Sequence, residues 1–129
     1  FTNKAEELAL CQRYFFRMKP ADNYSSYGMG GAYSPTQAVA FMYFPVPMRV
    51  SPSFSYSGAL STFYDKVGGF NSSGDFTNIT KTQTMGTALT GIPHLELLVT
   101  VASGGTQGNP FILATENTTN THFDFDAEL

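Results

Sequence analysis

RVSPSFSYSG, residues 49–58, alternates apolar residues with serine through one extended run. Val50, Pro52, Phe54 and Tyr56 fall on one side of an extended chain, and Ser51, Ser53, Ser55 and Ser57 on the other. A period of two is the mark of a strand with one face buried and one face wet. Pro52 has no N–H to give to a neighbouring strand, so this strand belongs at a sheet edge or a bulge.

Working outward, the same grammar recurs. TQAVAFMYF (36–44) is a nearly unbroken apolar run, suited to a strand covered on both faces, and Pro45 and Pro47 should end or deform it. LSTFYDKV (60–67) reads as a short strand before the turn-rich GGFNSSGD (68–75). FTNITKTQTMG (76–86) is a strand with a threonine face. In IPHLELLVTVASGG (92–105), Leu95, Leu97, Val99 and Val101 point one way, and Glu96, Leu98, Thr100 and Ala102 the other. PFILAT (110–115) is the next strand. The tail THFDFDAEL (121–129) sets an apolar row, Phe123, Phe125, Ala127 and Leu129, against an acidic one, His122, Asp124, Asp126 and Glu128. NYSSYGMGGAY (23–33) reads as a loop that leads into an irregular strand. About eight short strands in 129 residues, parted by Gly, Pro, Asn and Ser turns, indicate an all-β, jelly-roll-like β-sandwich. No internal repeat points to a solenoid or propeller.

EELALCQRYFFR (6–17) breaks the pattern. Asn3 is placed to cap, Glu6 and Glu7 suit a helix start, Arg13, Arg17 and Lys19 suit its end, and Pro20 stops it. Leu8, Cys11 and Phe15 share one face. A helix of about 14 residues is marginal alone in water, so its apolar stripe must find the β-body or another chain. Cys11, the single cysteine, excludes an internal disulfide and reads as a small buried hydrophobe. The division expected is a connector over 1–22 and a β-sandwich head over 23–129. Phe at position 1, where a start codon would give Met, suggests a fragment or a processed chain.

The formal net charge is −3, and four of the seven Lys and Arg fall in the first 19 residues. That distribution is unlike a nucleic-acid-binding surface, and no apolar run is long enough for a helical membrane span. Neither nucleic acid nor membrane insertion is expected. The 12 Phe and 7 Tyr, with no Trp, leave a surface covered largely by Ser, Thr, Asn, Gly and Tyr.

EELALCQRYFFR, PVPMRVSPSFSYSG (45–58) and DFDAEL (124–129) together resemble the C-terminal domains of bacteriophage tail fibre and tailspike proteins, over nearly the whole chain. The resemblance implies a homotrimeric, virion-borne domain, made in the bacterial cytoplasm and joined to an upstream fibre or spike shaft. It implies binding of a host cell-surface receptor, commonly a glycan. The N-terminal helix would then lie near the threefold axis. Leu8, Cys11 and Phe15 would form a trimer interface or pack beneath the sandwich, and Arg13 and Arg17 could pair with Asp124 or Glu128.

The residues show no catalytic constellation. His94 and His122 lack metal-ligand spacing, one cysteine supports no zinc site, and GMGGA (28–32) is followed by no helix that would make it a phosphate loop. No enzyme activity, metal or cofactor is therefore expected. A polysaccharide-cleaving pair drawn from Asp65, Asp75 and Glu96 is the enzymatic alternative, and a purely structural trimerisation module is another. Sugar binding needs aromatic faces and hydrogen-bonding side chains carried on loops over a rigid scaffold. Two loops have the mixture: Tyr24, Tyr27 and Tyr33 in the first, and Tyr64, Asp65, Phe70, Asn71 and Asp75 in the second.

Overall fold

A computed structural model of the chain describes residues 3–67, 76–87, 91–101, 104–116 and 118–128. These residues hold one α-helix, α1 (Lys4–Gln12), a 3-10 turn (Leu60–Thr62) and nine strands: β1 (Phe15–Met18), β2 (Ser26–Ala32), β3 (Gln37–Met48), β4 (Ser53–Ser57), β5 (Phe63–Asp65), β6 (Phe76–Thr87), β7 (Gly91–Val101), β8 (Pro110–Thr115) and β9 (His122–Asp126). These form an all-β sandwich of unequal sheets. The smaller has the order β1-β9-β4, the larger β5-β8-β2-β3-β7-β6, and the strand pairings among the described residues are antiparallel.

The alternation seen in the sequence is the burial pattern of the strands. On β7, Leu95, Leu97, Val99 and Val101 are buried, and on β9 so are Phe123 and Phe125. Between the sheets these residues meet Ala38, Ala40 and Met42 of β3, Phe63 of β5, and Phe111 and Leu113 of β8. Aromatic rings fill much of this space. Tyr27 stacks on Phe123 with centroids 4.2 Å apart, and Phe54 meets Phe123 edge-on at 5.3 Å. Such pairs add to the plain gain from area burial. Pro52 is buried and immediately precedes β4, which is an edge strand of the smaller sheet, where a missing donor costs least.

Two expectations are corrected. The helix stops at Gln12 instead of running to 17, because Phe15–Met18 pairs with β9. The segment FFRM alternates as well as it spirals, and Phe16 gains ring contacts with Phe44 and Phe125 that a helix could not supply. Cys11 is exposed, not buried. Of the two outcomes expected of Pro45 and Pro47, they deform β3 without ending it: the strand continues to Met48, with its register against β7 shifting between Tyr43 and Met48. The glycines of GMGG lie within β2 itself. A Cβ on Gly28 would strike the carbonyl oxygen of Phe41, and one on Gly30 that of Val39, so β2 lies too close to β3 for larger residues. The proposed partner of Arg17 is present: its Nε donates to Asp124 Oδ1 at 2.7 Å and its second nitrogen to Oδ2 at 3.0 Å.

Candidate ligand-binding surfaces

The strand order β5-β8-β2 brings Tyr24 and Tyr64, one from each tyrosine-bearing segment, together near one edge of the larger sheet. Tyr64 sits on the edge strand β5, opposite Ala114 of β8, and Tyr24 lies just before β2. Their rings meet edge to face, with centroids 6.3 Å apart at 84°. Tyr24 is 49% exposed and Tyr64 half-buried. Tyr24 has φ +60°, a left-handed conformation that costs a non-glycine residue energy. Both of its backbone polar groups are held: its N–H donates to the Glu116 carbonyl at 3.0 Å, and its carbonyl accepts from Lys66 Nζ at 2.8 Å. The ring is thus fixed in position by backbone bonds rather than by packing alone.

The phenol of Tyr64 is raised above its ordinary pKa, first by burial and then by the nearby charges of Tyr24 and Glu116. A carboxylate, an ammonium and two aromatic rings therefore occupy one small region. Ring faces can cover the C–H patches of a sugar, and Glu116 and Lys66 can meet its hydroxyls.

The other candidates fall elsewhere. Tyr27 is not a surface contact. It is 8% exposed, and its hydroxyl bonds to Thr121 Oγ1 at 2.8 Å, which is joined to Thr115 Oγ1 at 3.0 Å. The register of β2 against β8 shifts between Ser26 and Gly28, an irregularity that breaks the alternation and leaves Tyr27 facing inward although Met29, two residues on, is exposed; burial raises its phenol pKa. Asp65 is also buried. Its Oδ1 accepts from the N–H groups of Val67 at 3.1 Å and Ile112 at 3.2 Å, fastening β5 to β8. Tyr33 follows the far end of β2, a strand of seven residues, so it stands roughly 20 Å along the sheet from Tyr24. Phe70, Asn71 and Asp75 lie outside the described residues.

The helix carries its apolar stripe outward. Leu8 is 58% exposed, Leu10 54% and Phe15, now on β1, 38%. Ala9 and Gln12 are the half-buried positions of α1. A groove lined by Glu6, Ala9, Leu10, Arg13 and Val46 runs between helix and sheet.

The sequence reading missed the outer face of the larger sheet. Met29, Phe41 and Tyr43 are exposed there, and Tyr43 lies against His94 with ring centroids 5.1 Å apart. The signal was available: in the run 36–44, the positions alternating with buried Ala38, Ala40 and Met42 hold Val39, Phe41 and Tyr43. Among the described residues, no three His, Cys, Asp or Glu side chains converge as metal ligands. Nor, among the described residues, is any helix long and apolar enough to cross a membrane. Compared with protein-family models, curated proteins and solved structures, the chain shows no match.

Proposed function

We propose that this domain is a non-catalytic receptor-binding module of a phage tail fibre or tailspike, which trimerises through its N-terminal segment and takes a host-surface glycan at the Tyr24–Tyr64 edge. The observation that carries the glycan reading is the convergence of two separately encoded tyrosines on a backbone-pinned edge, beside Lys66 and Glu116. Loops on a rigid sheet are where recognition residues concentrate. Trimerisation is supported by the exposed Leu8 and Phe15 and by the groove that Leu10 lines with Val46, apolar surface of a kind that a neighbouring copy would cover. In that arrangement Cys11, exposed on the same helix, faces a neighbouring copy.

A glycan array probed with the 129-residue domain tests the first part. A saturable signal is expected, and Tyr64→Ala should abolish it while leaving the circular dichroism spectrum unchanged. An unchanged signal in that variant overturns the site. Sedimentation tests the second part: a trimer is expected, and Leu8→Asp should yield monomers. A Leu8→Asp protein that remains trimeric removes the helix from the interface. A trimer with no glycan signal favours the purely structural reading.

A further inference from the structure

The outer face of the larger sheet contains a cleft of about 450 Å³, lined by Tyr33, Val39, Thr82, Glu96 and Leu98. That volume is in the range of small-molecule sites. Val39 and Leu98 are directly opposite each other on β3 and β7 and form an apolar floor. Phe41 is opposite Glu96 in the same register and is 39% exposed. The carboxylate thus rises from a greasy sheet surface, flanked by aromatic rings.

Among the described side chains that line this cleft, the polar groups are left as acceptors. The Tyr33 hydroxyl spends its proton on Gln37 Oε1 at 2.7 Å. The Thr82 hydroxyl spends its proton on Glu96, lying 3.3 Å from the carbonyl oxygen and 3.4 Å from Oε2. An ionised glutamate has no proton to give. All seven Lys and Arg belong to the described residues, and none forms a salt bridge with Glu96. A carboxylate on an apolar surface without a countercharge calls for a cation, and a set of acceptors calls for a donor. An ammonium group satisfies both, and the Tyr33 and Phe41 rings add a cation–π attraction. A neutral polyol could supply donors but would leave the charge of Glu96 uncompensated.

We infer that this cleft binds a compact ligand bearing a protonated amine on an apolar body, with the ammonium on Glu96 and the body on Val39 and Leu98. The site is independent of the Tyr24–Tyr64 edge, and either can fail without the other.

The test is a titration of the 15N-labelled domain with benzylamine, followed by two-dimensional amide spectra at neutral pH, with benzyl alcohol as the neutral near-isostere. Saturable shifts are expected at residues 33, 39, 82, 96 and 98, with benzyl alcohol at least about tenfold weaker, the scale of one charge-assisted hydrogen bond. Glu96→Gln keeps the shape of the side chain and should weaken benzylamine by about the same factor without altering the rest of the spectrum. Added salt should weaken the amine and leave the alcohol unchanged. Equal binding of amine and alcohol, an undiminished Glu96→Gln, or shifts clustered at residues 24 and 64 instead would overturn the assignment. Should Glu96→Gln fold poorly, the wild-type comparison of amine with alcohol decides alone.

Discussion

The two faces of the larger sheet are made from the same strands and similar residues, yet one is a core and the other a display. Leu97 and Leu98 show the contrast within a single dipeptide. Leu97 is 0% exposed between the sheets, while its neighbour lines an open cleft. The smaller sheet has three strands and the larger six, so one inner face is matched by a partner and the opposite outer face has none. Aromatic and aliphatic content therefore does not report burial in this protein. Strand parity does.

The largest expected effect tests that parity. Leu97→Ala should destabilise the domain by about 2–5 kcal/mol, the cost of an uncollapsed core cavity. Leu98→Ala should cost no more than about 1 kcal/mol, as surface changes do. Urea unfolding of both variants decides the matter, and comparable losses would break the contrast between the faces.

A smaller effect concerns the join between the N-terminal segment and the sandwich. The Arg17 hydrogen bonds hold the Asp124 carboxyl below its ordinary range; burial opposes this, and His122, with Nε2 at 3.4 Å from Oδ2, adds to it. A carboxylate with a depressed folded pKa contributes stability that is complete above its unfolded value, near 3.9 for Asp. That contribution disappears as the pH falls through the lower folded value. Arg17→Ala should therefore lower the unfolding midpoint slightly at pH 7, and the difference from wild type should vanish in acid. The pair is solvent-exposed, so high salt should also shrink the difference. A gap that widens in acid would contradict the assignment.

Much of the fold was legible because half-buried strands write their burial as a period of two. RVSPSFSYSG, LELLVTV and HFDFD each gave the correct inward set, and the unusual position of Pro52 was foretold by its missing donor. The failures have physical causes as well. FFRM at 15–18 is compatible with either period, and pairing with β9, a contact more than 100 residues distant, chose the strand. Residues 23–33 read as a loop leading into an irregular strand without saying where the strand starts; it starts at Ser26, and the glycines within it allow two backbones to approach closely. The candidate site was legible in kind only. Tyr24 and Tyr27 belong to one tyrosine-rich segment, and nothing in their identities says that β2 begins between them and turns the second inward. Lys66 and Glu116 could not be joined to Tyr24 from the sequence, because their meeting depends on the strand order β5-β8-β2, which no local pattern encodes.

Those two tyrosines also provide the most direct test of the account, that aromatic rings inside this sandwich hold it together while those at its edge serve recognition. Thermal unfolding and glycan-array binding should be measured together on Tyr24→Ala and Tyr27→Ala. The account predicts that Tyr24→Ala keeps the wild-type melting temperature and loses the ligand, and that Tyr27→Ala loses about 3–5 kcal/mol of stability. A Tyr24→Ala protein that melts early and still binds, beside a Tyr27→Ala protein as stable as wild type, would contradict it.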